Sequence, residues 1–135
     1  MYLLDTNIFL EILRNRTHSV ACEQLLTALS AERPGFATAF SLHAIAALMG
    51  APNRSESLQR FLRFFSEHPH LYRYDTTPQE ELLIAASLSK WRLDFDDALQ
   101  YYVAKQQHLT LVTLDRDFRH LKDIAVATPM DIMRA

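Results

Sequence analysis

The sequence predicts an α/β domain of three layers, α/β/α, with helices on both faces of a central, mainly parallel sheet. Three observations carry that expectation. Short apolar, β-rich runs alternate with segments of helical periodicity from one end to the other, the pattern of a parallel sheet covered on both faces. Two of those runs stop at an aspartate, as strands of open α/β sheets do where a ligand binds outside their carboxyl ends. No repeat, low-complexity tract or linker interrupts the 135 residues, of which 49% are hydrophobic and 22% charged. That length and composition suit one domain, so residues 1–135 are read as a single unit.

Met1-Tyr2-Leu3-Leu4 is a short apolar run ended by Asp5-Thr6-Asn7, a strand that stops at residues suited to turns and helix N-caps. Ile8 to Arg14 follows with helical spacing and its basic residue last, which favours a helix C-terminus. A second helix is expected from about His18 to Ser30, with Val20, Ala21, Leu25, Leu26 and Leu29 on one side, ended by Pro34-Gly35. Phe36 to Phe40 reads as a strand. Ser41 is then an N-cap for an almost wholly apolar, hence buried, helix through Met49 that stops at Gly50 and Pro52.

From Ser55 to Glu67, Leu58, Phe61, Leu62, Phe64 and Phe65 suit another helix, with Arg54, Arg60 and Arg63 on its polar side; Leu71 to Tyr74 reads as a strand. Thr77 caps and Pro78 opens a helix whose expected core face is Leu82, Leu83, Ala86 and Leu88. The helix starting near Asp96 continues through Leu99, Tyr102, Val103 and Ala104. Thr110 to Leu114 is the clearest strand; a turn from Arg116 to Leu121 leads to a last strand at Ile124 to Ala127.

Composition excludes several classes. Two Gly, one Cys and no long uncharged run rule out collagen, a disulfide scaffold and a membrane span. The lone Cys22 suits a reducing compartment, and Met1 to Asn15 lacks the basic start and cleavage site of a signal peptide, so a cytoplasmic setting is expected. A net charge of −2 offers no global positive field for a polyanion, so any nucleic-acid contact must be local. Eleven of the fourteen cations are Arg, and five of the nine Asp fall between Asp94 and Asp117.

Asp5, Asp97 and Asp115 stand at boundaries between elements. Carboxylates brought close must protonate or find a cation, and oxygen-only clusters select hard cations such as Mg²⁺ or Mn²⁺, which activate water against a phosphodiester. Each aspartate also has an ordinary use: Asp5 as a helix cap, Asp97 as an acid in a first helical turn, Asp115 with Asp117 as turn formers. Asp94 and Asp96 flank Asp97 and are alternative caps.

At these residues the sequence resembles the PIN-domain nucleases, and within them the toxin components of toxin–antitoxin pairs. Leu3-Leu4-Asp5-Thr6-Asn7 is similar to the family's opening motif, Asp97-Ala98-Leu99 with Ala104 to its central one, and Leu111 through Phe118, with Thr113, Asp115 and Asp117, to its closing one. The resemblance spans the chain. It implies a PIN-like α/β/α fold and a Mg²⁺- or Mn²⁺-dependent endoribonuclease for single-stranded RNA, with Asp5, Asp97 and Asp115 as metal ligands and Asp117 as a further one. Asn7 and Thr113 match positions that support the ligands by hydrogen bonding. A homodimer and an antitoxin partner are implied as well, with no membrane.

One departure stands out. Counting six residues from Ser41 puts Ala47 where the family usually carries Glu. His43, one turn earlier, falls within about 40° of position 47 around the helix and is the proposed stand-in at the metal or scissile phosphate; its alternative is a buried histidine bonded within the core. Two further functions are carried. Loss of the Glu makes the domain a catalytically impaired RNA- or protein-binding module, or Asp5 is a phosphoryl-accepting nucleophile of a phosphatase-like enzyme. Among weaker features, Arg14, Arg16, Arg54, Arg60 and Arg63 line an RNA path or are solvated surface; Trp91, Tyr101 and Tyr102 stack bases or belong to the core; Glu67, His68 and His70 read as a loop.

Overall fold

The computed structural model describes Met1–Ala135. Five strands, β1 (Tyr2–Leu4), β2 (Gly35–Thr38), β3 (Leu71–Tyr74), β4 (Thr110–Val112) and β5 (Val126–Ala127), form one sheet in the order β3-β2-β1-β4-β5, and every pairing is parallel. Eight α-helices accompany them: α1 (Thr6–Leu13), α2 (Ser19–Ala28), α3 (Ala39–Met49), α4 (Ser55–Glu67), α5 (Pro78–Ala86), α6 (Leu88–Trp91), α7 (Phe95–Gln106) and α8 (Pro129–Arg134). The predicted three-layer α/β/α architecture is therefore present.

Side-chain alternation along the strands builds two cores. Leu4 and Val112 point into a cluster with Phe9, Leu25, Ile45, Phe61 and Phe65 from α1 to α4. Leu3 and Leu111, one residue earlier on each strand, point to the other face and pack with Ile84, Leu99, Val103 and Phe118. All four strand residues are fully buried, which is why β1 and β4 read as uninterrupted apolar runs.

The chain steps outward from β1 to β2 to β3, then returns to place β4 on the opposite side of β1. The carboxyl ends of β1 and β4 thus flank the point where strand order reverses. α7 precedes β4 and runs back against it, so its first turn lies at that same end.

Several boundaries differ from the expectation. β2 stops at Thr38, and the next helix is capped by Thr38, not Ser41: the Thr38 hydroxyl oxygen accepts from the Ser41 amide at 3.0 Å. Ser41 instead sits in the first turn with its side chain wholly buried. α3 is not buried all round, since Phe40 and Leu48 are exposed; its buried residues are Ser41, Leu42 and Ile45. The Leu82–Leu83 core face of α5 is also overturned, with Leu82 73% exposed and Ile84 taking the buried position. A helix of 9 residues has one inward stripe, and Leu82 lies about 200° round from Ile84. Ala86 is exposed too. In α2 Val20 is exposed, and in α4 Leu62 and Phe64 are exposed, while Phe61 and Phe65 pack edge-on against Phe9 at 5.6 and 6.2 Å. α8 went unpredicted: its Thr128 capping box and Pro129 start are legible signals, but it has only 6 residues. No helix is long and apolar enough to cross a membrane.

Candidate metal centre

Asp5 ends β1 and caps α1. One of its carboxylate oxygens, Oδ1, accepts from the Thr6 amide at 2.7 Å, and Oδ2 accepts from the Thr113 hydroxyl at 2.7 Å. The ordinary use of Asp5 as a cap thus coexists with its place at the switch point. Thr113, 1% exposed, follows β4; while donating to Asp5 its oxygen accepts from the Asp115 amide at 3.0 Å. One buried hydroxyl therefore links the carboxylate after β1 to the backbone that carries the carboxylate after β4. Asn7 reaches the same segment, its Oδ1 accepting from the Leu114 amide at 3.5 Å.

Asp115 Oδ1 accepts from the Asp117 amide at 2.9 Å, a side-chain turn that folds the loop back and brings the second acid beside the first. Asp97, in the first turn of α7, completes the group. Asp97, Asp115 and Asp117 each offer an oxygen within 4.8 Å of the others. Asp5 stands outside this trio but close enough to act on it. Burial, and then repulsion from Asp96, Asp5, Asp115 and Asp117, raises the Asp97 carboxyl to about 7. Burial also raises Asp5, against the lowering effect of its bonds from Thr113 and Thr6, and Asp115 and Asp96 push it further. No ion pair relieves the group, since the only two in the molecule are Arg73–Asp75 and Lys105–Asp123. An all-oxygen set in which Asp97 and Asp5 are pushed toward protonation suits a hard divalent cation.

Asp94 takes the N-cap position of α7 without a side-chain cap bond. Asp96 lies exposed in the same turn and acts on Asp97 and Asp5 only through its charge.

His43 is not drawn into the cluster. It is exposed, not buried as its alternative reading required, and it makes no side-chain hydrogen bond. Ala47 is exposed as well. The residue by which α3 meets the carboxylate-bearing elements is Ser41, whose hydroxyl oxygen lies 2.7 Å from Thr6 Oγ1 and 2.7 Å from Gln100 Nε2. His43 lies about 200° round the helix from it. Ser41 and Gln100 were missed by the sequence reading. The available signal was spacing, because Gln100 follows Asp97 by one turn of α7.

The arginines singled out from sequence lie elsewhere. Arg14 and Arg16 follow the far end of α1, about 12 Å along the helix from Asp5. Arg60 lines a separate groove of about 920 Å³ with Phe9, Leu26, Phe61 and Phe64. Tyr101 is buried, with its hydroxyl donating to Asp123 at 2.6 Å and its ring edge-on to Trp91 at 5.0 Å, so that pair belongs to the core. His68 is held in a loop: its Nδ1 accepts from the His70 amide at 3.1 Å, which leaves Nε2 to donate to the Leu26 carbonyl at 2.9 Å.

Comparison with known proteins adds a family model and a set of structures. The model of the PIN domain matches residues 2–124. Among solved structures, a toxin–antitoxin complex from Klebsiella pneumoniae is 21% identical, with 96% of this chain and 98% of that chain covered at a TM-score of 0.71. VapBC2 from Rickettsia felis, bound to a DNA fragment from its promoter, is 19% identical, with coverage of 94% and 97% and a TM-score of 0.74. Mycobacterium tuberculosis VapC20, a sarcin–ricin-loop-cleaving toxin, is 12% identical over 92% and 97% at a TM-score of 0.74. At these identities the likeness is one of fold. No match is found among curated proteins.

Proposed function

The chain belongs to the PIN-domain family, and from that premise we propose that it is a Mg²⁺- or Mn²⁺-dependent endoribonuclease acting on single-stranded RNA. The observation that carries the proposal is the convergence of Asp97, Asp115 and Asp117 within 4.8 Å at the switch point. Asp5 is close enough to raise the Asp97 carboxyl. Asp97, Asp115 and Asp117 would hold the cation, with Asp5 as the fourth carboxylate. Bound there, a divalent ion supplies the positive charge that stabilises the transition state of phosphodiester hydrolysis.

The chain's own groups do the remaining work. Thr113 favours the ionised form of Asp5 by donating to it, against the effect of burial, and holds the Asp115 backbone by accepting from it. Asn7 anchors the same loop through Leu114. Asp5 is poorly placed as a phosphoryl-accepting nucleophile, because it is 6% exposed and both its oxygens already accept hydrogen bonds. Resemblance to the family implies 5′-phosphate and 3′-hydroxyl ends.

The fold neighbours from Klebsiella pneumoniae and Rickettsia felis, both toxin–antitoxin assemblies, support a toxin role with an antitoxin partner. A homodimer and a cytoplasmic setting belong to the same reading. A catalytically impaired binding module is the second reading, favoured by one observation: α3 brings no carboxylate to the cluster, with Ala47 exposed in place of the usual acid.

Incubation of the protein with a panel of single-stranded RNAs and Mn²⁺ or Mg²⁺, with the ends of the products mapped, separates the two. Cleavage is expected, falling by more than about a hundredfold in Asp97→Asn and Asp115→Asn. His43→Ala is expected to retain the wild-type rate, since it lies outside the cluster. RNA binding without cleavage by folded wild type at millimolar metal would establish the binding module instead.

A further inference from the structure

A groove of about 790 Å³ opens beside the carboxylates, and its lining joins Asp94, Asp97 and Asp117 to Arg92, Arg116 and Arg119. None of these guanidiniums is committed. The molecule's two ion pairs use Arg73 and Lys105, and Arg92, Arg116 and Arg119 donate no side-chain hydrogen bond. Three unpaired arginines standing beside an acidic centre, in a chain of net charge −2, form an arginine wall that balances the three aspartates of the groove and offers phosphate a contact where the global field offers none. Guanidinium is the side chain suited to planar, two-point contact with phosphate oxygens.

The wall is built from two segments held together. Arg92 follows α6, while Arg116 and Arg119 lie in the turn after β4. His120 Nε2, 2.9 Å from the Trp91 carbonyl oxygen, bridges them. Arg92 is the C-cap of α6 and sits in left-handed backbone, φ 55° and ψ 47°, where glycine or asparagine is the usual occupant.

Resting on the nuclease reading, we propose that Arg92, Arg116 and Arg119 form a phosphate-binding subsite on the β4 side of the carboxylates. It grips the backbone of single-stranded RNA next to the scissile phosphodiester. The contact is to phosphate oxygens, so it fixes register without reading bases.

The test is the affinity of a short fluorescein-labelled single-stranded RNA, measured by anisotropy in Ca²⁺ over a series of salt concentrations. Mn²⁺ affinity is measured in parallel by calorimetry and folding by thermal melting. Each phosphate contact in single strands contributes about 0.7 to the slope of log affinity against log salt. The Arg116→Gln/Arg119→Gln double variant should therefore lose about 1.4 of slope, and Arg92→Gly about 0.7 with a melting temperature equal to or above wild type. Mn²⁺ affinity should not weaken. Lysine at 116 and 119 should restore the slope but not the full affinity, because ammonium makes no bidentate contact.

Folded glutamine variants with unchanged slope and affinity would overturn the subsite, and continued cleavage by wild type would leave the nuclease reading standing. Parallel loss of Mn²⁺ and RNA binding would also overturn it, showing that the arginines merely support the carboxylates. If wild type neither binds nor cuts the RNA, both readings fall together.

Discussion

Asp97 concentrates the electrostatic conflict of the molecule. Its carboxyl is raised to about 7, by burial first and by four neighbouring acids next, whereas an unfolded aspartate titrates near about 3.9. Between those values the folded chain holds a proton that the unfolded chain has lost. The metal-free protein therefore loses stability as pH rises from about 4 to 7. Asp97→Asn removes the conflict and should stabilise the metal-free protein at pH 8 by about 1 to 2 kcal/mol, after allowing for solvent screening of a half-buried group. Chemical denaturation at pH 8 without metal measures this. The same variant should lose Mn²⁺ binding, so stability and function move in opposite directions.

Metal displaces the Asp97 proton, so Mn²⁺ affinity in wild type should fall by about tenfold per pH unit below 7. A titration series across that range reads the slope directly. Thr113→Val tests the support beneath the site. Losing a buried hydroxyl that donates to a carboxylate should cost about 2 kcal/mol at pH 8. It should also weaken Mn²⁺ binding at pH 7, because Asp5 then ionises less readily. Asp5 and Asp115 were legible in the sequence because they terminate apolar runs, whereas Asp97, Asp117 and Thr113 were legible through their resemblance to the family's motifs. Arg92, Arg116, Arg119, Ser41 and Gln100 were not, since their proximity depends on how four separate segments meet.

Among the elements, those read best were the ones whose local chemistry and burial agree. β1 and β4 are buried on both faces, and α5 begins at Thr77-Pro78 with a complete capping box. α3 was misread because Thr38 and Ser41 are both good caps, and only the end of β2 at Thr38 decides between them. The inward face of α5 was misread because Leu82, Leu83 and Ile84 are adjacent and all apolar, so no helical period tells which is inside. Leu82→Ala should change stability by less than about 0.5 kcal/mol, whereas Ile84→Ala, emptying a fully buried position, should cost about 2 to 5 kcal/mol. Equilibrium denaturation of the two variants gives the comparison.

For the molecule as a whole, the fold brings its acids together through topology rather than proximity in sequence. Asp5 and Thr113 are 108 residues apart, yet they bond because β1 and β4 are neighbours in the sheet. The three-layer class was readable from alternation alone. Strand order was not, because nothing in an apolar run names its partner. A sheet whose strand order reverses beside β1 creates the crevice, and the carboxylates at its mouth store a repulsion that a divalent cation would relieve.

Calorimetric titration of Mn²⁺ into the metal-free wild type at pH 7.5, with Asp97→Asn alongside and both shown to be folded, tests that account most directly. Saturable binding by wild type is expected, with release of about a quarter of a proton at this pH because Asp97 titrates near 7, and none by the variant. A folded wild type that takes up no Mn²⁺ at millimolar concentration, or a variant that binds it equally well, would contradict it.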